Sequence, residues 1–127
     1  MPRLFVSVSA VCLALAACTD APSGAPEPAP RLAFVGTWAA DAQWCANTAM
    51  TTDRVPVRIS ETRFEGYENS CDIIALDETG EGWDAQMICM AEGMEYRHTV
   101  RMVADGDTLR LTYLERGTDP IMLVRCD

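Results

Sequence analysis

The chain has 127 residues, and its 19 acidic side chains outnumber its ten arginines, which leaves a net charge of −9 without any lysine. So acidic a surface repels nucleic acid and anionic lipid headgroups, and it would attract a cationic protein partner instead. The length allows one core of modest size, and small exported domains of this kind are commonly stapled by disulfide bonds.

The first 18 residues are typical of an export signal. A short basic start, Met1-Pro2-Arg3, precedes an apolar run over residues 4–16. A membrane-spanning helix needs about 20 apolar residues, so this length favours a cleaved signal over a span. The motif that ends the run, Leu15-Ala16-Ala17-Cys18, resembles the lipobox of bacterial lipoproteins. The alternative is ordinary export with cleavage near Ala17.

The lipobox resemblance implies a signal peptide of residues 1–17 and a diacylglyceryl group on the thiol of Cys18, whose freed amine is then acylated. More than one acyl chain gives stable anchoring, so the lipid bilayer would be a partner of the acylated Cys18. In enterobacterial lipoproteins the next residue directs sorting, and by that resemblance Thr19 favours the outer membrane, facing the periplasm. Loss of Arg3 with the leader leaves nine arginines against 19 acidic residues, a net charge of −10.

Residues 18–31 form a proline- and alanine-rich tether behind the lipidated cysteine. Proline fixes φ and lacks an amide donor, which disfavours both helix and sheet over this stretch. An extended spacer of this length reaches roughly 40 Å, at about 3.1 Å per residue. The remaining residues, 32–127, are expected to form one folded domain. The four prolines of the tether are Pro22, Pro26, Pro28 and Pro30.

Short alternating segments between glycine- and proline-containing turns dominate residues 32–127. This pattern predicts an all-β domain, a small antiparallel meander of about seven or eight strands that is either a barrel or a sandwich. The alanine-rich stretch 39–50 is the exception, and Asp41 is placed to cap one or two helical turns there. The predicted strands are Leu32–Trp38, Val55–Ile59, Arg63–Glu68, Cys71–Leu76, Trp83–Met90, Met94–Ala104, Thr108–Leu114 and Ile121–Cys126.

Four of the six cysteines lie in the domain, and an even number in an oxidising compartment predicts two disulfides. If the hairpin loop 77–82 is centred on Gly80, Cys71 falls directly opposite Cys89, close enough to be bridged. Cys45 then pairs with Cys126 by elimination, tying the helical segment to the last strand. Each bridge is expected to contribute about 2–4 kcal/mol of stability.

The turns at Glu92-Gly93 and Asp105-Gly106 set the register of the later strands. Alternation along those strands then separates an apolar face, the predicted core, from a polar one. The core face carries Trp83, Met87, Cys89, Tyr96, His98, Val100, Met102, Leu109, Leu111 and Tyr113. A second apolar set is expected on the outer side and would need a cover; it comprises Ile74, Leu76, Ile88 and Met90.

One motif points to a particular kind of barrel. Gly36-Thr37-Trp38 resembles the GxW motif on the first strand of the calycins, the group of lipocalins, avidins and fatty-acid-binding proteins. In that group an arginine of the last strand packs on the tryptophan and closes the barrel floor, a role that the resemblance assigns to Arg125. The domain is shorter than a calycin, so side chains are expected to fill the place of the ligand cavity.

The residues of the domain suggest no catalytic centre, and we expect no enzymatic activity, no cofactor and no metal. His98 with Met87, Met90 and Met94 was weighed as a Cu(I) site, but the register puts Met90 and Met87 on opposite faces, and a packed histidine explains the pattern better. The acidic loop 77–84 offers the oxygen ligands that calcium prefers, yet its spacing matches no EF-hand.

These features predict a membrane-anchored protein of the bacterial cell envelope whose small, non-enzymatic β domain acts in binding or interaction. Two alternatives remain open: an inhibitor of a cationic hydrolase such as lysozyme, and a lipocalin-like carrier of a small ligand. An apolar cavity of several hundred Å³ would favour the carrier. An acidic loop beside a shallow groove would favour the inhibitor, and a bare outer apolar set would favour a protein interface.

Overall fold

The computed structural model describes residues 32–49, 51–117 and 119–127. The predicted signal peptide, the lipidation site Cys18 and the tether lie outside the described residues. No helix within the described part of the chain has the length and apolar character needed to cross a membrane.

Within those residues eight antiparallel strands follow one another in chain order and close into a barrel. The all-β prediction is therefore confirmed, and the barrel replaces the sandwich alternative. Closure comes from the pairing of the first strand with the last, where Trp38 lies opposite Arg125. The strands are β1 Gly36–Ala39, β2 Val57–Ile59, β3 Arg63–Gly66, β4 Asn69–Glu78, β5 Trp83–Ala91, β6 Met94–Asp105, β7 Thr108–Tyr113 and β8 Ile121–Arg125.

The predicted helical segment is a single 3₁₀ helix, Ala42–Ala46, in the connection between β1 and β2. Asp41 caps it as expected, because its carboxylate accepts a hydrogen bond from the Gln43 amide at 2.8 Å. The first strand begins later than predicted, at Gly36. Residues 32–35 form a turn instead, closed by a 2.9 Å hydrogen bond from the Val35 amide to the carbonyl of Leu32.

The register of the long hairpins follows their turns. Cys71 faces Cys89 across β4 and β5, and Tyr96 faces Cys89 across β5 and β6. Val100 faces Tyr113 across β6 and β7, so three consecutive pairings agree with the prediction from turn positions. The core face predicted from that register is also the inner face of the barrel.

The prediction for the far end of β4 is wrong by one residue, because a β-bulge interrupts the ladder between Ile73 and Ala75. A bulge adds one residue to one strand, so each side chain beyond it changes face. Leu76 lies opposite the buried Ala85 and packs against the core, instead of joining the outer apolar set. Ile74 stays outside and is 54% exposed.

Both predicted disulfides are present. Cys71–Cys89 crosses from β4 to β5 inside the barrel, with both residues buried and the Cα atoms 3.9 Å apart. Cys45–Cys126 joins the 3₁₀ helix to the residue after β8, with a Cα–Cα distance of 5.3 Å. The first bridge pins a hairpin, and the second holds the β1–β2 connection against the C-terminal end of the chain.

Candidate functional site

The three residues of the GxW resemblance meet at one point of the barrel wall. The guanidinium carbon of Arg125 lies 4.1 Å from the ring centroid of the buried Trp38, a cation–π arrangement. The same guanidinium donates to the carbonyls of Ala33 at 2.9 Å and Val35 at 3.4 Å. A Cβ on Gly36 would stand 2.6 Å from Nη1 of Arg125. This closure of an eight-stranded barrel is compatible with a calycin-like barrel, and its residues have a structural role.

Side chains occupy the barrel interior, as the short strands predicted. The internal disulfide fills the space between β4 and β5, and large apolar residues fill the rest. Recesses that a partner can enter therefore have to be sought on the surface. The largest side chains that are almost completely buried are Trp38, Phe34, Met87, Met102, Leu109, Val100 and Cys71.

A groove of about 470 Å³ opens on the outside of the barrel, and we call it the outer groove. It runs between the β1–β2 connection and the turn from β3 to β4. Its lining mixes charged, amide, hydroxyl and apolar groups, which suits a peptide or protein surface better than a purely apolar ligand. The lining residues are Asn47, Thr48, Pro56, Arg58, Glu65, Gly66, Glu68, Asn69, Ser70 and Met90.

Strand register builds the floor of the outer groove. Arg58 lies opposite Glu65, Glu65 opposite Ser70, and Ser70 opposite Met90, so one residue from each of four neighbouring strands forms a continuous row. Residues directly opposite one another in a sheet share a face, which here is the outer one. The row ends on the apolar side chain of Met90, which is 49% exposed.

Hydrogen bonds fix part of this row and leave one cation available. Arg63, beside the groove, donates to the hydroxyl of Ser70, lies 3.6 Å from a carboxylate oxygen of Glu65 and pairs with Asp72 at 2.9 Å. Arg58, by contrast, forms no ion pair with any residue of the described ranges. The groove therefore offers an exposed guanidinium that could bind a carboxylate or a backbone carbonyl of a partner.

The walls of the outer groove are held by local contacts. The Asn47 amide donates to the carbonyl of Arg54 at 2.8 Å and to the hydroxyl of Thr52 at 3.2 Å, which closes the β1–β2 connection on itself. On the opposite wall, Glu68 adopts a positive φ of 50° in the β3–β4 turn. The negative charge of Glu68 raises the pKa of the neighbouring Tyr67, so that phenol stays a hydrogen-bond donor at neutral pH.

The acidic loop between β4 and β5 has its charges partly neutralised. Glu81 pairs with Arg110 at 3.2 Å, and Asp84 accepts two hydrogen bonds from Arg101 at 2.7 and 2.8 Å. The Arg101 hydrogen bond holds the pKa of Asp84 below its ordinary value. The carboxylates face arginines on different strands instead of converging, and no three His, Cys, Asp or Glu side chains group around a possible metal position anywhere in the described ranges.

A second groove, about 290 Å³, runs along this acidic loop. The loop residues 78–82 form one side, and the aromatic residues Phe34 and Trp83 form part of the other. The two rings pack edge to face with centroids 6.3 Å apart. An acidic loop beside a shallow, partly aromatic groove is the arrangement expected of the inhibitor alternative.

His98 is half-buried among aromatic groups and an arginine. Its ring lies parallel to Tyr96 at 6.4 Å and edge-on to Tyr113 at 5.4 Å, and Nη2 of Arg116 is 3.4 Å from Nε2. Burial raises the pKa of Tyr113. Met87 faces His98 across β5 and β6 but is buried in the core. These neighbours account for His98 as a packed residue.

The chain gave no match to any protein-family model, curated protein or solved structure with which it was compared. The outer groove was missed by sequence reasoning, since it depends on the pairing of β2 with β3 and of β3 with β4. The tight turn Tyr67-Glu68 between β3 and β4 was the available signal. Had it been used, it would have placed Glu65 opposite Ser70.

Proposed function

We propose that the chain is a lipid-anchored protein of the bacterial cell envelope whose non-enzymatic barrel binds a peptide or protein partner at the outer groove. The observation that carries this proposal is the contrast between interior and surface. Side chains fill the barrel, whereas the outer groove is open, amphiphilic and contains an arginine without an ion pair among the described residues. A carrier of large apolar ligands has correspondingly less support.

The exposed apolar side chains support a protein interface as well. Ile74 and Met90, two members of the predicted outer apolar set, are 54% and 49% exposed. Apolar residues left bare on one side of a small domain commonly mark a contact surface. The calycin-like relationship belongs to this proposal too, because Gly36, Trp38 and Arg125 carry it and the barrel retains their arrangement while lacking room for a large ligand.

The anchor is tested by mass spectrometry of the chain isolated from its native membranes. The expected product starts at Cys18 and carries acyl groups on its thiol and amine. A Cys18→Ser variant should lose the acyl groups and leave the membrane fraction, since one covalent anchor holds the domain there. An intact leader, or an unmodified residue 18 in the wild-type protein, would remove the lipoprotein half of the proposal.

The groove is tested with a photo-crosslinking amino acid placed at Met90 in the full chain, in native membranes. The matched control places the same group at Met122 on β8, which is 53% exposed and outside the outer groove. We expect a discrete adduct from position 90 that is absent from position 122 and is lost when Arg58→Glu reverses the groove cation. Equal labelling at both positions would count against a groove partner.

A second function has one specific observation in its favour. The acidic β4–β5 loop beside the 290 Å³ groove fits a cationic hydrolase such as lysozyme, which the net charge would steer toward the protein. A lysozyme activity assay with added protein tests this directly. Dose-dependent inhibition that weakens in a Glu78→Gln/Glu81→Gln variant would support it, and full activity at saturating protein would reject it.

A further inference from the structure

Strand β6 is longer than the strand that pairs with its outer side. Its residues run from Met94 to Asp105, but pairing with β7 begins only at Val100, opposite Tyr113. One further hydrogen bond, from the Leu114 amide to the carbonyl of Thr99 at 2.9 Å, ends the contact. Residues 94–98 therefore pair with β5 on one side and with no described strand on the other.

The unpaired side of this segment presents backbone groups at two positions. Thr99 directs its carbonyl toward β7, and alternate residues of an antiparallel strand direct their backbone groups the same way. Glu95 and Arg97 therefore point an N–H and a C=O each toward the open side. The Thr99 amide is already bound by the carboxylate of Glu115 at 2.6 Å. Such a row of open donors and acceptors is a template for another strand.

We propose that a second copy of this chain pairs with this edge, antiparallel, about a two-fold axis beside Tyr96. In that register Glu95 lies directly opposite Arg97 of the partner subunit, and Arg97 opposite Glu95 of the partner subunit. Both positions face outward from β6, so the two pairs share four backbone hydrogen bonds. Each pair also brings opposite charges together on the outer face, which favours a cross-strand pair.

Charge selects this register over its neighbours. A shift of two residues in one direction sets Glu95 against its own copy, and a shift in the other direction sets Arg97 against its own copy. Like charges directly opposite each other destabilise a sheet. Shifts by one residue place outward-pointing backbone groups opposite inward-pointing ones and lose the hydrogen bonds. The register centred on Tyr96 also uses the whole open segment of each copy and stops where β7 begins.

The side chains on the other face of the segment gain cover from the same arrangement. Tyr96, 38% exposed, would meet its own copy at the two-fold axis, and Met94, 54% exposed, would meet His98 of the partner subunit. In the free chain Glu95 and Arg97 already lie 3.8 Å apart along the strand, and both are well exposed. Pairing exchanges that contact for two equivalent contacts between copies.

The test uses disulfide formation between copies of the full chain in its native membranes. Tyr96→Cys puts two thiols opposite each other at a pair without backbone hydrogen bonds, where the Cα atoms of a sheet are only about 4.5 Å apart. We expect a reducible species of twice the chain mass on a non-reducing gel. The matched control is Met122→Cys, also exposed on a strand but away from β6. A monomeric Tyr96→Cys chain, or equal cross-linking of both variants, would overturn the proposal.

A charge series in the Tyr96→Cys chain tests the register. Arg97→Glu makes both cross-strand pairs repulsive and should reduce the dimer fraction roughly tenfold. Adding Glu95→Arg to it restores opposite charges and should restore the dimer. Failure of the double exchange to rescue dimerisation would reject this register.

A second measurement avoids the introduced cysteine, in case Tyr96→Cys does not fold. Sedimentation of the detergent-solubilised wild-type chain should give a mass that rises with concentration toward two chains, while the Arg97→Glu chain stays at one. A wild-type chain that remains monomeric at every concentration would contradict self-pairing.

Discussion

Gly36 shows how one position can control the closure of the barrel. Its φ is +155°, a conformation that residues with a Cβ rarely adopt, and a Cβ there would meet Nη1 of Arg125 at 2.6 Å. That guanidinium has little freedom to move, because it is stacked on Trp38 and donates to two carbonyls of the preceding turn. The glycine is therefore required by close approach and by backbone conformation together.

Gly36→Ala is expected to lower the free energy of unfolding by about 1–3 kcal/mol, through backbone strain and displacement of Arg125. Denaturant unfolding of the oxidised protein measures this loss. The matched control is Gly80→Ala, where a Cβ meets nothing within 4 Å and the change should stay within about 0.5 kcal/mol. Equal stability of the two variants would show that Gly36 does not constrain the closure.

Asp84 provides a test that depends on pH. Its pKa is lowered in the folded protein by the hydrogen bond from Arg101, so the charged form is stabilised by folding. That contribution is present above the ordinary carboxyl pKa of 3.8 and is lost as the pH falls through the lower folded value. Asp84→Asn should therefore be less stable than the wild type at pH 7, and the difference should shrink steadily below about pH 4.

Thermal unfolding across this pH range measures the difference for Asp84→Asn. Glu61→Gln serves as the charge-matched control, because Glu61 is exposed and takes no part in the ion pairs of the described residues. A stability difference for Asp84→Asn that is the same at pH 7 and pH 3 would mean that the Arg101 contact does not contribute through ionisation.

At the scale of elements, the hairpins were predictable where their turns are local. Glu92-Gly93 and Asp105-Gly106 determined the registers of β5, β6 and β7, and the cysteine pair determined that of β4 near Cys71. The bulge at Ile74 was not predictable. One extra residue leaves no signal in composition, and the sequence on either side of it alternates acceptably in both registers. Only contact with the core decides which of Ile74 and Leu76 is buried.

The bulge predicts opposite outcomes for two neighbouring substitutions. Leu76→Ala should cost about 2 kcal/mol, because it removes a side chain that packs against the core. Ile74→Ala should change the free energy of unfolding by no more than about 0.5 kcal/mol, since that side chain is largely exposed. Denaturant midpoints of the two variants give the comparison. A larger loss for Ile74→Ala would restore the uniform register.

At the scale of the whole molecule, closure depends on contacts between the two ends of the domain. Trp38 pairs with Arg125 across β1 and β8, and the Cys126 amide donates to the carbonyl of Thr37 at 2.8 Å. The Cys45–Cys126 bridge, with a sequence separation of 81, reinforces the same junction from outside. Contacts between distant parts of the chain are costly in loop-closure entropy, so a covalent link contributes most here.

Cys45→Ser/Cys126→Ser is expected to lower the free energy of unfolding by about 4 kcal/mol, as loop-closure entropy predicts for a separation of this size. That is a large part of the roughly 5–15 kcal/mol available to a typical domain. Denaturant unfolding of the variant under oxidising conditions, with Cys71–Cys89 intact, measures the effect. A loss below about 1 kcal/mol would show that strand pairing alone holds the junction.

The sequence by itself determined the all-β class, both disulfide pairings, the cap at Asp41 and the meeting of Trp38 with Arg125. Each of these depends on short-range turn chemistry, on alternation, on a countable set of cysteines or on a motif resemblance. Only the tertiary structure decided between barrel and sandwich, where the bulge lies, how the outer groove forms and where β6 is left unpaired. Those features arise from the unequal lengths of neighbouring strands once the sheet has closed, and strand length is set by contacts with residues far away in the chain.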